Sequence, residues 1–325
     1  MLDVKNEVLI AEKRIRPYVR ETLLDYSVSL SRLTDCQVYL KCEILQYTGA
    51  FKARGAMNKL LSLTPTQAQH GVVTASSGNH GAAVAFGLNK LKIPGVIFLP
   101  ENASPAKIEN IRNYDIPIEF YATTHLQTEL YAIDYAKQRN MLYISPYNDP
   151  QVIGGQGTIG LELVRQLDKI DAVLVPVGGG GLIAGIAGYL KSVSSKIKII
   201  GCLPENSPVM AASIKAGKII EMETKPTLSD GTAGGIAKDA ITFELCQQFV
   251  DDYILVSENE IKNGIITSLK HQHLLIEGAA GVALAALLKK AQEFQGKNVV
   301  IVLSGANISL ETLKTVFRET HDDIG

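Results

Sequence analysis

The chain carries no excess of either charge: 32 lysines and arginines stand against 33 aspartates and glutamates, and neither sign gathers into a long run. That balance removes the electrostatic basis for binding nucleic acid or an anionic membrane and favours a small, uncharged or zwitterionic ligand. Cysteine is scarce. Its four copies, Cys36, Cys42, Cys202 and Cys246, include no CxxC pair, which excludes a disulfide framework and a zinc site and predicts buried thiols in a reducing compartment. No run approaches the ~20 apolar residues of a membrane span. The opening MLDVKNEVLIAEKRIRPYVR mixes charges with apolar residues at helical spacing, so it lacks the apolar stretch of a secretion signal. Repeats, low-complexity tracts and disordered linkers are also missing. The expectation is a soluble, cytoplasmic protein that acts on a small molecule, with no nucleic acid or membrane as partner.

What the chain does have is apolar bulk and alternation. With 325 residues and 46% hydrophobic side chains, it can build one large domain or two intimately packed ones. Short β-branched runs recur, each followed by a longer amphipathic stretch: QVYLK (37–41), GVVTA (71–75), GVIFLP (95–100), IPIEFY (116–121), DAVLVPV (171–177), KIKIIGCL (196–203), YILV (253–256) and NVVIVLS (298–304). This order predicts an α/β fold of parallel sheets with helices on both faces. The segment near 146 to 156, SPYNDPQVIGG, is dense in turn formers and is a candidate crossing between two lobes.

Val173 to Val177 runs into Gly178, Gly179, Gly180 and Gly181 and then into LIAGIAGYLKSV. A strand that ends in four glycines and opens a helix gathers backbone N–H groups and the positive helix end at one point, which suits a phosphate. Close packing of helix on strand explains one or two glycines, whereas four in succession are costly in conformational entropy. Leu182 follows where a Walker loop needs Lys-Ser or Lys-Thr, so ATP is not expected. A literal GxGxxG stands at Gly155, Gly157 and Gly160. It follows a turn-rich segment instead of a strand, and no acid ends a second strand at the usual distance, so it reads as a glycine-rich helix start and not as a dinucleotide site. A second loop, Ser76-Ser77-Gly78-Asn79-His80-Gly81, lies between a short strand and the helix AAVAFGLNK. Its hydroxyls and N–H groups suit an anion such as a carboxylate, although an ordinary N-cap has the same composition.

Lys52 lies in TGAFKARGA (48–56), at the start of a helix that continues MNKLLSL. Flanked by small and aromatic residues, it is a candidate desolvated amine of lowered pKa, as a Schiff-base lysine requires; most lysines are solvated surface charges. GAFKARGA, SSGNHG, GQGTIG, VGGGG and LSGAN occur in this order between about residue 15 and residue 310. In this order and spacing the set resembles the pyridoxal phosphate (PLP) dependent fold-type II, tryptophan synthase β-like enzymes, and among them the serine/threonine dehydratases and serine racemases.

The resemblance implies two lobes, each a mostly parallel twisted sheet covered by helices, with the cofactor in the cleft between them. Residues 1–70 with 150–325 would form a large cofactor-binding domain, and 71–149 a small, mobile substrate-loop domain. Lys52 would form the internal aldimine with Phe51 packed near it, while Gly178, Gly179, Gly180, Gly181 and Leu182 cradle the phosphate. Asn79 would bond the ring's phenolic oxygen, and Ser76, Ser77, Gly78, Asn79 and His80 would form the loop that grips the substrate. Ser304, in LSGAN, would face the pyridine nitrogen, and Asp230, Gly231 and Glu277 would line the ring's surroundings. A hydroxyl at 304 cannot hold that nitrogen protonated as a carboxylate would, which favours loss of a β-substituent over transamination. The implied activity is that of a homodimeric dehydratase, an ammonia-lyase that turns L-threonine or L-serine into a 2-oxo acid and ammonia. Ser77 matches the racemase serine, so serine racemase is an alternative, beside a specialised dehydratase for 3-hydroxyaspartate or phenylserine and a β-replacement synthase.

The chain departs from the family pattern in places. Relatives carry a metal-binding acidic pair in a V-E-P-x-x-A-x-D-like run, where this chain has Leu203 and Val209 in CLPENSPV. Two hard ligands are missing there and no metal is expected, with Glu205 offering at most a shifted ligand. Tyr147 and Asn148 replace the commoner HP-containing version near the substrate pocket, and Ala306 replaces the second glycine of the SGAN region. The chain ends soon afterwards, so a C-terminal regulatory domain and isoleucine feedback are not expected.

Overall fold

The computed structural model describes residues 2–318. Its strands are β1 (Leu24–Tyr26), β2 (Gln37–Lys41), β3 (Val72–Ala75), β4 (Gly95–Leu99), β5 (Ile118–Phe120), β6 (Leu142–Tyr143), β7 (Ala172–Pro176), β8 (Lys198–Pro204), β9 (Asp252–Val256) and β10 (Asn298–Val302), with helices between most of them. They form a six-stranded sheet in the order β1-β2-β10-β7-β8-β9 and a four-stranded sheet in the order β5-β4-β3-β6. Each pairing is parallel except that of β1 with β2. The α/β expectation of two parallel-dominated sheets therefore holds.

Period-two alternation divides the core of the larger sheet. Leu174, Ile200 and Ile301 face one side, under Val282 and Leu287 of the helix Gly278–Lys289. Val173, Val175 and Val300 face the other, against Ile183 and Ile186 of the helix Gly181–Val193 and Ile159 of the helix Pro150–Gln166. With both faces covered, β7 is buried along its whole length, which is why it reads as an unbroken apolar run. Each such aliphatic side chain contributes about 1.5–3 kcal/mol through burial. The four cysteines are buried without disulfides. Burial pushes the Cys42 and Cys246 thiols up to about 12, because the thiolate loses its hydration there. Among the described residues no helix is long and apolar enough to cross a membrane.

Two strands leave no trace in the sequence pattern. β6 has two residues, too few for a period to register, and the three of β1, Leu24-Asp25-Tyr26, include no β-branched side chain. The turn-rich segment also needs correcting. Its turn formers stop at Asp149, which caps a helix that begins at Pro150, its Oδ1 accepting the N–H groups of Gln151 and Val152 at 2.9 and 3.0 Å. Gly155, Gly157 and Gly160 consequently lie inside this helix and not at its start. They let helices touch: a Cβ at Gly155 would come within 2.7 Å of Arg54 O, one at Gly157 within 2.8 Å of Gly185 O, and one at Gly160 within 3.1 Å of Ile186 O.

Candidate active site

Both sheets direct the C-terminal ends of parallel strands at one cleft, where open α/β folds bind their ligands. β7 leads into Gly178–Gly181, β3 into Ser76–Gly78, and β10 into Ser304. Between them lies a cavity of about 330 Å³, of the size that holds small ligands. Phe51, Lys52, the loop Ser76–His80, the tetrad Gly178–Gly181 with Leu182, Asp230, Gly231, Glu277 and Ser304 all line it. Segments from distant parts of the sequence thus share one space.

Lys52 is the first residue of its helix, Lys52–Leu61. The chain just before it is zipped to the segment that carries Ser304. Phe51 N–H donates to Ser304 O at 3.0 Å, Ala306 N–H donates to Gly49 O at 2.9 Å, and Ala50 and Gly305 form an antiparallel bridge. Main-chain bonds therefore fix the lysine and the serine relative to each other. Lys52 Nζ donates to Pro146 O at 2.7 Å and lies 5.1 Å from the centre of the Phe51 ring. Burial lowers its pKa to about 8, against the opposing pull of the Glu277 carboxylate, so the free amine is far more accessible than on a surface lysine. The Ser304 hydroxyl is buried and has no hydrogen-bond partner among the described residues. An unpaired buried hydroxyl costs about 1–3 kcal/mol, which a polar atom of a ligand offsets.

The glycine tetrad has steric reasons of its own. Gly180 sits at φ +88°, in the left-handed region, and its successor opens the helix Gly181–Val193. A Cβ at Gly178 would lie 3.0 Å from Thr232 Cα, one at Gly179 2.4 Å from the Tyr147 ring, and one at Gly181 3.0 Å from Tyr147 Cα. Close packing thus accounts for more of these glycines than their sequence alone suggests. The fit to a phosphate rests on the helix N-terminus directed at the same cavity.

On the opposite wall, the helix Asn79–Leu91 begins at the second loop. Asn79 Nδ2 donates to both Glu277 oxygens, at 2.9 and 3.0 Å, and its Oδ1 accepts from Asn307 Nδ2 at 2.8 Å. Burial raises the Glu277 pKa to about 7; nearby Asp230 adds to the rise while the Asn79 and Asn307 hydrogen bonds oppose it. His80 Nε2–H donates to Ile144 O at 3.1 Å, because a carbonyl can only accept. Burial, and then the charge of Lys52, push the His80 pKa down to about 3. The ring is neutral at physiological pH and brings no positive charge to a carboxylate, so the loop's N–H groups and serine hydroxyls are left for that task.

Several lining residues carry no sequence signal. Lys107 and Asn110 lie on the helix Pro105–Arg112, and His125 opens the helix His125–Gln138. Their surroundings read as ordinary solvated helix faces. Lys107 Nζ reaches across the cleft to Asp230 Oδ2 at 2.6 Å. Asn307 follows LSGA and is legible only as part of that motif. Tyr147, one of the departures from the family pattern, lines the cavity, and its Oη accepts the Ala237 N–H at 2.9 Å. In the run CLPENSPV, Glu205 Oε1 pairs with Lys289 Nζ at 3.3 Å, and no group of three acidic, His or Cys side chains suited to a metal occurs among the described residues.

A buried amine at a helix start, an orphan hydroxyl held beside it and a glycine turn at a second helix start together fit pyridoxal phosphate. Comparison with known proteins agrees. A family model described as "Pyridoxal-phosphate dependent enzyme" matches residues 15–305. The L-threonine ammonia-lyase of Thermotoga maritima is 39% identical over 309 residues, covering 95% of this chain and 77% of that protein. The catabolic L-threonine dehydratase of Escherichia coli strain K12 is 37% identical over 314 residues, covering 96% of this chain and 95% of the other. The structure of maize serine racemase aligns with a TM-score of 0.90 at 33% identity, covering 98% of each chain. With the matched region taking in Lys52, the glycine tetrad and Ser304, the chain belongs to the pyridoxal-phosphate dependent enzyme family.

Proposed function

We propose that the protein is a cytoplasmic, homodimeric ammonia-lyase that converts L-threonine or L-serine into a 2-oxo acid and ammonia. The observation that carries the reading is that main-chain bonds hold the segment of Lys52 against that of Ser304, whose buried hydroxyl faces the same cleft with no partner among the described residues. The cofactor supplies an electron sink for the substrate Cα. The tetrad Gly178–Gly181, with Leu182, would hold its phosphate, and Ser304 would meet its ring nitrogen as a neutral partner. A neutral partner stabilises negative charge on the ring less than a carboxylate-held cation would, so departure of a β-hydroxyl outcompetes slower alternatives. Lys52, kept near its free-amine form by burial, takes the Cα proton. Ser76, Ser77 and the N–H groups around Gly78 hold the substrate carboxylate. Asn79 Nδ2, which lies 2.9 and 3.0 Å from the two oxygens of one carboxylate, would offer its other N–H to the ring oxygen.

The mouth of the cavity supports a neutral side chain on the substrate. Lys107 and Asp230 cancel each other there, and burial lowers the His125 pKa, so no free charge favours an acidic β-substituent such as that of 3-hydroxyaspartate. Serine racemisation is a second reading, favoured by one feature: Ser77 is buried and lines the same cavity as Lys52, as a second proton-handling group must. The links Asn79–Glu277 and Lys107–Asp230 are side-chain contacts across the cleft, which supports residues 71–149 moving as one lobe. Exposed Leu23, Tyr26, Val28 and Leu33 beside the edge strand β1 offer an apolar face for a second subunit.

The test is a panel of L- and D-serine, L-threonine, 3-hydroxyaspartate and phenylserine, assayed for 2-oxo acid, ammonia and the opposite enantiomer. Threonine or serine should give the highest kcat/KM for 2-oxo acid. A panel in which only the enantiomer forms supports the racemase, and one in which only an acidic substrate turns over contradicts the argument from the cavity mouth.

A further inference from the structure

Arg54, two residues after Lys52, is fully buried and touches no part of the cavity. Two residues along a helix lie about 200° apart, so Lys52 enters the cleft while Arg54 enters the core behind it. There its fork is saturated. Nε and Nη2 donate to the two Glu43 oxygens, both at 2.8 Å, and Nη1 and Nη2 donate to the two Glu162 oxygens at 2.6 and 2.8 Å. Thr158 Oγ1 and Thr22 Oγ1 accept further bonds at 3.0 and 3.3 Å. Glu162 is also held by Lys41 Nζ at 2.6 Å, and Lys41 gives its other protons to Thr22 O and Gln166 Oε1 at 2.8 and 2.9 Å. Arg54, Lys41, Glu43 and Glu162 all have fully buried side chains, and their formal charges sum to zero.

Stability alone does not account for this cluster. Desolvating such groups is expensive, and replacing a buried ion pair by apolar side chains of similar volume is often neutral or stabilising. What the cluster adds is direction, because a bidentate guanidinium accepts one orientation where aliphatic packing tolerates small rotations. The neighbouring helix contact makes direction matter. A Cβ at Gly55 would lie 2.3 Å from Gln156 Nε2 and one at Gly155 2.7 Å from Arg54 O, so the lysine helix meets the helix Pro150–Gln166 at close range, with the Gln156 side chain, whose Oε1 accepts the Gly55 N–H at 3.2 Å, seated between them. At so close an approach a small rotation of the lysine helix drives its backbone into Gln156 and the facing helix, so the rotation has to be held to one value. We propose that Arg54 is a positioning residue: its paired carboxylates, one on the turn at Glu43–Leu45 and one on the helix Pro150–Gln166, lock the rotation of the lysine helix and so aim Lys52 at the cofactor. The proposal rests on the assignment of Lys52 made above.

The test removes one cation and one anion together, as Arg54→Met with Glu43→Leu, which leaves Glu162 paired with Lys41 and Arg16. A purely structural cluster predicts an intact fold with parental kcat and parental visible circular dichroism of the bound cofactor. Positioning predicts an intact fold in which that dichroism falls, apoprotein affinity for pyridoxal phosphate weakens, and kcat drops on the order of 10²-fold with KM little changed. Arg54→Lys keeps the charge and loses the fork, and should drop kcat by roughly tenfold with the same dichroic change. Either variant folding with parental kcat and dichroism overturns the proposal, and so does failure of both to fold. Should the unsubstituted protein show no lysine-linked cofactor band, the reading of Lys52 fails instead.

Discussion

The two walls of the cleft are built by different means. The wall that carries Lys52 and Ser304 is fixed by main-chain bonds between segments 49–51 and 304–306, and behind it stands a fully buried charge cluster. The wall that carries Ser76–His80 is tied across the cleft by side chains, Asn79 to Glu277 and Lys107 to Asp230. Lys107 and Asp230 are 37% and 59% exposed, and pairs so open contribute little. A cofactor that stays bound calls for the first construction. A substrate that enters and leaves calls for the second.

The sharpest way to break this contrast is at Lys52. Lys52→Ala should lower turnover by at least about 10³-fold, on the scale of a lost general base, and remove the visible cofactor band; retained turnover on threonine or serine contradicts the assignment. Gly179→Ala drives a Cβ to 2.4 Å from the Tyr147 ring, and overpacking of about 1–3 kcal/mol should weaken cofactor affinity by roughly 10- to 100-fold. Titration of apoprotein with pyridoxal phosphate checks this, and Tyr147→Ala in the same chain should restore much of the loss. If the two substitutions simply add, the ring is not the obstacle.

Acidity gives the next effect. Burial places the Lys52 pKa near 8, below its ordinary 10.5, so the amine is protonated below pH 8 and free above it. Capture of the cofactor by apoprotein should therefore slow about tenfold per pH unit below 8 and level off above it; a midpoint near 10 in stopped-flow absorbance contradicts burial as the cause. The stability consequence has the same origin: folding is penalised by the buried ammonium below pH 8, and the penalty fades between 8 and 10.5. Ser304→Ala removes one hydrogen bond, about 1 kcal/mol, and should cost roughly fivefold in cofactor affinity. Lys107→Ala is the mildest. At an exposed pair worth about 0.2–1 kcal/mol, KM should rise no more than about fivefold, and the difference from the parent should shrink in high salt.

The sequence makes the first wall more legible than the second. Eight strands announce themselves as β-branched runs because most are buried on both faces, whereas β6 is too short to show a period and β1 has no β-branched residue. Lys52, the tetrad and Ser304 each sit at the end of a regular element, where local chemistry and position coincide. Lys107, Asn110 and His125 join the cavity only because the smaller sheet brings two outwardly ordinary helices over it, and no local pattern encodes that approach. His80 is legible as a loop residue but its charge state is not, since it depends on burial and on the charge of Lys52. The glycines at 155, 157 and 160 imitate a nucleotide fingerprint because helix crossing and phosphate binding both demand a missing side chain.

The central claim is that the side chain at position 52 carries the cofactor. Reduction of the holoprotein with borohydride, digestion and peptide mass mapping test it most directly. The account predicts the phosphopyridoxyl mass increment on the peptide bearing Lys52 and on no other; finding it on the peptide of Lys41, Lys59 or Lys107 instead, or on none, would contradict it.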